Sequence, residues 1–304
     1  MPEAKKKSAF VTLIGRPSVG KSTLLNKLCG EKAAIVSAVP QTTRNAIRGI
    51  VNREQGQLVF VDTPGRHNSP KKFNKKLTEV SARALGDTDL VLYVLDASRA
   101  PGPEEEAVTD LLFPLMDKTA VAINKTDLKN ADRDAACEFV RKRLPAIQEN
   151  RLFSISARNG EGVDDLLAAL YDMASEGDIL YGEEYYTDQE PEFRIAEIIR
   201  EQAINRLREE LPHSLYVDIA DCEYRDGADG SLSRLNVRAF IVVERESQKG
   251  IVVGKGGEMI KAIRLAALKE LKDIFDWKID LDLRVKTGKD WRHNDHTLRR
   301  ITGV

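Results

Sequence analysis

Short, uninterrupted apolar runs recur along the first 175 residues: Ala9–Ile14, Leu58–Val61, Leu90–Leu95, Ala120–Ile123 and Leu152–Ile155. Between several of them, apolar residues fall at helical spacing, over Ser22–Leu28, Lys72–Leu85, Glu104–Leu112 and Arg133–Leu144. A strand-length run with no polar alternation has no wet face. Such runs separated by helices therefore predict an α/β domain with a mostly parallel sheet covered on both faces. Ile47–Val51 and Gln57–Val61, separated by Asn52–Gly56, predict an antiparallel hairpin at one edge.

The pattern then changes. Residues 177–192 are acidic and turn-rich, as a linker is. Beyond it, Pro191 suits a first helical turn, with Ile195, Ile198, Ile199, Ala203 and Leu207 on one face. Leu215, Val217 and Ile219 alternate with polar residues, as do Leu235–Val243 and Ile279–Val285, and Glu258–Phe275 is a helix between the second and third of these. Alternation means one buried and one solvated face, so this is a smaller α+β domain with an open sheet. The expected division is 1–176, a linker at 177–192, and 193–304.

Composition agrees with this reading. A chain of 304 residues suits two domains. With 42% hydrophobic and 31% charged residues it has a soluble globular profile. The longest apolar run, Leu90–Leu95, is far short of a membrane span, and no signal-peptide stretch follows residues 1–8. Three scattered cysteines offer neither a disulfide framework nor a zinc site, which points to a reducing cytoplasm. The net charge of −1 hides a gradient: +3 over residues 1–177, −9 over 178–248 and +5 over 249–304. A basic C-terminal block fits an anionic partner.

The chemistry gathers where the strands of the first domain end. Gly15-Arg16-Pro17-Ser18-Val19-Gly20-Lys21-Ser22 fits G-x-x-x-x-G-K-[ST] between a strand and a helix, the context in which backbone N–H groups cradle phosphate. Lys21 is expected on the β- and γ-phosphates and Ser22 on Mg²⁺, with Thr23 following. Asp62-Thr63-Pro64-Gly65 ends the next core strand. There Asp62 can hold Mg²⁺ through a water, and the Gly65 N–H can sense the γ-phosphate. Asn124-Lys125-Thr126-Asp127 decides the base, because the Asp127 carboxylate accepts two hydrogen bonds that guanine offers and adenine does not. Asn124 and Lys125 brace that loop. A backbone N–H of Ser156-Ala157-Arg158 completes the pocket at guanine O6. Gln41-Thr42-Thr43-Arg44 has the character of a first switch loop. Thr43 is the preferred Mg²⁺ ligand, with Thr42 as the alternative. Four motifs in order, each at the end of a predicted strand, predict a GTP-hydrolysing domain.

Gly254-Lys255-Gly256-Gly257 joins two helices in the basic block, which is the form of the loop with which KH domains clamp single-stranded nucleic acid. A second Gly-x-x-Gly, Gly227-Ala228-Asp229-Gly230, carries an acid and joins two strands, so it is a turn. The order helix, strand, strand, helix–loop–helix, strand, helix is similar to a type II KH domain. His67, His213, His293 and His296 have no metal spacing, Trp277 and Trp291 suit a core, and Lys5–Lys7 a solvated tail.

Taken together, residues 15–28, 41–44, 62–65, 124–127, 197–201, 243–249 and 254–257 resemble the Era family of bacterial GTPases over nearly the whole chain. A related family with two tandem GTPase domains is excluded by the single motif set. The resemblance implies slow GTP hydrolysis with GTP/GDP and Mg²⁺ bound. It also implies a part in assembly of the 30S subunit, the second domain gripping the 3′ end of small-subunit ribosomal RNA. The protein is expected to be a cytoplasmic monomer with peripheral contact at the cell membrane. Two residues depart from the family pattern. Ser18 stands where relatives carry an Asn associated with K⁺, and Arg66 stands where they carry an apolar residue. Thr43, Gly65 and Arg66 are the candidates for assisting hydrolysis. A signalling GTPase whose second domain binds a protein or membrane is the alternative reading.

Overall fold

The computed structural model describes residues 6–65, 72–225 and 233–303. Arg66, His67, Lys5 and the turn at 227–230 lie outside the described residues. The chain divides into two compact units, one of residues 1–34, 43–188 and 302–304, the other of 35–42 and 189–301.

In the first unit the order is β1 (Lys7–Ile14), α1 (Lys21–Cys29), β2 (Ile47–Arg53), β3 (Gly56–Asp62), α2 (Lys72–Gly86), β4 (Leu90–Asp96), α3 (Pro103–Leu112), β5 (Thr119–Asn124), α4 (Arg133–Arg143), β6 (Leu152–Ser154), α5 (Val163–Met173) and β7 (Ser175–Glu176). The sheet runs β2-β3-β1-β4-β5-β6, parallel except for the edge hairpin β2–β3, and short β7 pairs antiparallel with the start of β1. Every residue of β3, β4 and β5 is buried, which is why these strands carry no polar alternation. On one face Val91, Tyr93, Leu95, Val121 and Ile123 pack against Val108, Leu112, Cys137, Val140 and Leu144 of the flanking helices.

Two stretches differ from the sequence expectation. Lys7 is no solvated tail: it opens β1, and its Nζ donates to the Ala174 carbonyl at 2.7 Å. The acidic stretch assigned to a linker lies along the hairpin as far as Asp188. Gln57 is bonded to Leu180 and Tyr181, the Ile50 N–H donates to the Tyr186 carbonyl, and Arg48 pairs with Asp188 at 2.7 Å. An edge strand leaves main-chain groups unpaired, and this segment satisfies them.

The second unit holds α6 (Pro191–Ile204), α7 (Leu211–Ser214), β8 (Leu215–Arg225), β9 (Arg234–Val243), α8 (Glu246–Val253), α9 (Glu258–Ile274), β10 (Lys278–Thr287) and α10 (Asp295–Thr302), the last residue of which is grouped with the first unit. β8 and β9 are antiparallel, β9 and β10 parallel. Ile195, Ile198 and Ile199 of α6 and Ile263, Ala267 and Leu271 of α9 pack on Val237, Ala239, Ile241, Leu281 and Leu283 of the sheet. Trp291 is buried, its Nε1 donating to the Ser214 carbonyl, and His293 and His296 are exposed. Residues 35–42 join this unit because the Val36 N–H donates to Glu201 and Arg200 donates to the Thr42 carbonyl.

Candidate nucleotide and nucleic-acid sites

The loop from Gly15 to Ser22 takes its shape from its own residues. Gly20 has a φ of +102°, and a Cβ there would stand 2.4 Å from Asn124 Nδ2, so only glycine fits. Ser18 is also left-handed, at +64°, and Val19 is buried as an anchor. Lys21 begins α1 with its side chain turned back: Nζ donates to the Gly15 and Arg16 carbonyls at 3.0 and 3.1 Å. Burial lowers the Lys21 pKa, and Asp62 and Glu105 oppose that shift. A buried ammonium held by main-chain carbonyls is a cation in place for phosphate.

Ser22, Thr43 and Asp62 meet beside it. The Ser22 hydroxyl lies 2.6 Å from Asp62 Oδ2 and 3.0 Å from Thr43 Oγ1, and Thr43 Oγ1 lies 3.3 Å from the same carboxylate oxygen. Asp62 is fully buried, and its Oδ1 has no hydrogen-bond partner among the described residues. Burial raises its pKa, against Lys21 and the two hydroxyls. Two hydroxyls and a carboxylate with a spare buried oxygen form a hard-oxygen set that fits Mg²⁺. The alternative threonine is engaged elsewhere, Thr42 Oγ1 donating to the Val39 carbonyl. After Asp62, Thr63 Oγ1 donates to the Leu13 carbonyl and Ser81 Oγ to the Pro64 carbonyl, fixing the path to Gly65.

At the other end of the sheet edge, buried Asn124 ties two loops together. Its Nδ2 donates to the Val19 carbonyl at 2.7 Å, and its Oδ1 accepts from the Ala157 N–H at 2.9 Å. Lys125, left-handed at φ +66°, donates to the Ser18 carbonyl and to Asp96, both at 2.7 Å. Burial pushes the Asp96 pKa up, but the bonds from Lys125 and Ser98 outweigh it and leave the pKa lowered. Asp127 is exposed beside this loop, and Ser156 is buried with its hydroxyl accepting from the Asn159 N–H. Asp96 escaped the sequence reading. Its signal was an acid ending an apolar strand at the same sheet edge, which a motif search passes over.

In the second unit, Gly254 has a φ of +76° and a Cβ there would meet Met259 Cβ at 2.7 Å, so the turn into α9 requires glycine. Gly256 and Gly257 face open space and Lys255 is exposed, leaving main chain and a cation accessible together. Ile251, at the end of α8, is 57% exposed beside them, an apolar surface next to a charged one. Among the described residues no group of His, Cys, Asp and Glu side chains has the arrangement of a metal site.

Comparison with known proteins identifies what this geometry belongs to. A family model described as 50S ribosome-binding GTPase matches residues 10–125, and a KH domain model matches 210–292. GTPase Era of Treponema denticola is 50% identical over 296 residues, covering 97% of this chain and 99% of the relative. The chain belongs to the Era family of GTPases. Era of Borreliella burgdorferi is 44% identical over 97% of this chain and 99% of its own. Among solved structures, Era in complex with MgGDPNP and nucleotides 1506–1542 of 16S ribosomal RNA superposes with a TM-score of 0.89 at 32% identity, covering 97% of this chain and 98% of that one. A point variant of Aquifex aeolicus Era bound to GDP and aluminium fluoride gives 0.90 at 32% identity, with the same coverage. As an Era-family GTPase, the protein binds GTP and hydrolyses it to GDP and phosphate, and it pairs a P-loop domain with a KH domain. No helix among the described residues is long and apolar enough to cross a membrane.

Proposed function

We propose that this Era-family GTPase grips the 3′ end of small-subunit ribosomal RNA and acts as a GTP-controlled factor in assembly of the 30S subunit. The observation that carries this reading is the open Gly254–Gly257 loop, with exposed Lys255, on the same chain as the phosphate site. The KH match over 210–292 supports an RNA partner above a protein- or membrane-binding second domain. Relatives that superpose along the whole chain include one bound to that RNA.

Each site residue has a role in this reading. Gly15, Arg16, Ser18, Val19 and Gly20 wrap the β-phosphate with main-chain N–H groups, and Pro17, which has no N–H to give, shapes the turn between them; Lys21 bridges β and γ, and Thr23 continues the helix N-terminus toward the phosphates. Ser22, Thr43 and Asp62 hold Mg²⁺, which when bound neutralises charge on the phosphate oxygens. The Gly65 N–H reports the γ-phosphate, with Thr63 and Pro64 shaping its approach, and Arg66 follows at the second switch. Asp127 selects guanine, Lys125 covers its plane, and the Ser156-Ala157-Arg158 turn closes on O6. GTP work falls to residues 1–176 and RNA work to 193–304. Ser18 is shorter than the Asn of relatives, so K⁺ contributes less here. The protein acts as a cytoplasmic monomer that touches the membrane only peripherally.

The test replaces Lys255 and Gly256 together by Asp. Gly256, at φ +60° with nothing within 4 Å, leaves room for the new side chain, and aspartate tolerates this backbone. Binding to a 3′-terminal small-subunit RNA fragment should fall at least about tenfold, because a phosphate contact is lost and two repulsive charges are added. GDP affinity should hold. Unchanged RNA affinity would remove the assignment.

A further inference from the structure

The phosphate loop has an underside that the nucleotide-binding motifs do not describe. Arg16, the second residue of the loop, carries a side chain that is only 10% exposed. Its Nε stands 2.8 Å from Oε1 of Glu105, a fully buried carboxylate on α3. The other carboxylate oxygen, Oε2, accepts a hydrogen bond at 2.7 Å from the hydroxyl of Tyr93, fully buried in β4. The GTP reading assigns no role to Tyr93, and Glu105 enters it only through its charge on Lys21.

Burial raises the Glu105 pKa, and the bond from Tyr93 and the charges of Arg16 and Lys21 work against that shift, as does the location. Glu105 sits in the first turn of α3, two residues after Pro103, with its N–H bonded to the Gly102 carbonyl. A helix N-terminus favours a carboxylate. An arginine and a carboxylate taken together from water are tolerable as a pair, and either alone is costly. Arg16 is therefore pinned from both sides. Its carbonyl accepts from Lys21, and its Nε pairs by charge with Glu105 Oε1, a contact without hydrogen-bond alignment.

We propose that Glu105, oriented by Tyr93, is a positioning residue for the phosphate loop, acting through Arg16. With the pair in place, the Gly15–Arg16 end of the loop keeps its curl before nucleotide arrives. Binding then does not have to order the loop, and preorganisation of this kind appears as affinity. The inference rests on the reading of residues 15–22 as a phosphate loop. The part of that loop concerned wraps the β-phosphate, which GDP and GTP share, so both ligands must feel the change equally.

The experiment measures fluorescent GDP and GTP affinity at 20 °C, melting temperature, and the GTPase rate at saturating GTP, on the full chain. Glu105→Gln keeps the bond to Tyr93 and removes the ion pair. It should weaken GDP and GTP alike by about tenfold, equivalent to about 1.4 kcal/mol, with the saturated rate within about twofold of the parent. Tyr93→Phe, a milder change that retains the ring, should weaken both by a smaller factor. Arg16→Gln combined with Glu105→Gln replaces the ion pair by two neutral amides and should recover most of the lost affinity. A lower melting temperature with unchanged affinities would make the cluster purely structural and overturn the inference. So would a double variant that recovers nothing, since Glu105 would then not act through Arg16. Failure of the unmodified protein to bind GDP would instead overturn the phosphate-loop reading itself.

Discussion

In the proposed reading, Asp127 concentrates base choice in a single carboxylate. The residues around it are committed elsewhere: Asn124 bridges the Val19 carbonyl and the Ala157 N–H, and Lys125 bridges the Ser18 carbonyl and Asp96. Asp127 is exposed next to them. Asp127→Asn exchanges one acceptor oxygen for a donor without disturbing that bracing. Xanthine presents an oxo group where guanine presents an amino group, so the amide suits xanthine and mismatches guanine. Competition between GDP and XDP should show preference for XDP, with guanine affinity reduced by about tenfold or more. Retained guanine preference would show that this loop does not read the base. The same economy governs the proposed role of Asp62, whose Oδ1 has no partner among the described residues and would gain one from the proposed Mg²⁺.

Elements are where sequence and structure compare most directly. The strands of the first unit and the phosphate loop were legible because their signal is local: an apolar run, then a motif, within a dozen residues. The convergence of Ser22, Thr43 and Asp62 was legible only as an expectation, since three separate elements must fold to bring the hydroxyls to the carboxylate. The Arg16–Glu105 pair gave no signal at all, because an acidic first turn is ordinary and 89 positions separate the two residues. The course of residues 177–188 was hidden for the opposite reason. Its composition is that of a linker, while Gln57, Asn52 and Arg48 on the hairpin hold it in place. The grouping of residues 35–42 with α6 was equally invisible, because it rests on Glu201 and Arg200. Glu201 accepts the Val36 N–H at 2.7 Å. A hydrogen bond to a charged acceptor contributes about 1.5–3 kcal/mol, so Glu201→Ala should speed amide exchange at Val36 by about ten- to a hundredfold. Exchange that does not change would mean that α6 does not hold this segment.

At the scale of the whole molecule, two hydrophobic clusters among the described residues, one in each unit, have no residue in common. One is built on β4, β5, α3 and α4, the other on α6, α9, β8, β9 and β10. Each cluster belongs to a compact unit of its own, and a chain whose units unfold separately is not described by a single unfolding free energy. Ligands separate the two, because a ligand stabilises only the block that binds it. Every residue assigned to GDP contact except Thr42 lies in the first unit, and the Gly254–Gly257 loop lies in the second. Calorimetry of the free protein should show two transitions. Mg²⁺ and GDP at a hundred times the dissociation constant stabilise their unit by about 2.7 kcal/mol. For a unit of this size that raises its transition by roughly 5–10 °C. The other transition should stay in place under GDP and move under the RNA fragment. A single transition that either ligand shifts as a whole would show instead that the two cores unfold together. The segment 35–42, which lies between α1 and β2 in sequence and with α6 by contact, would then be the first place to look for what couples them.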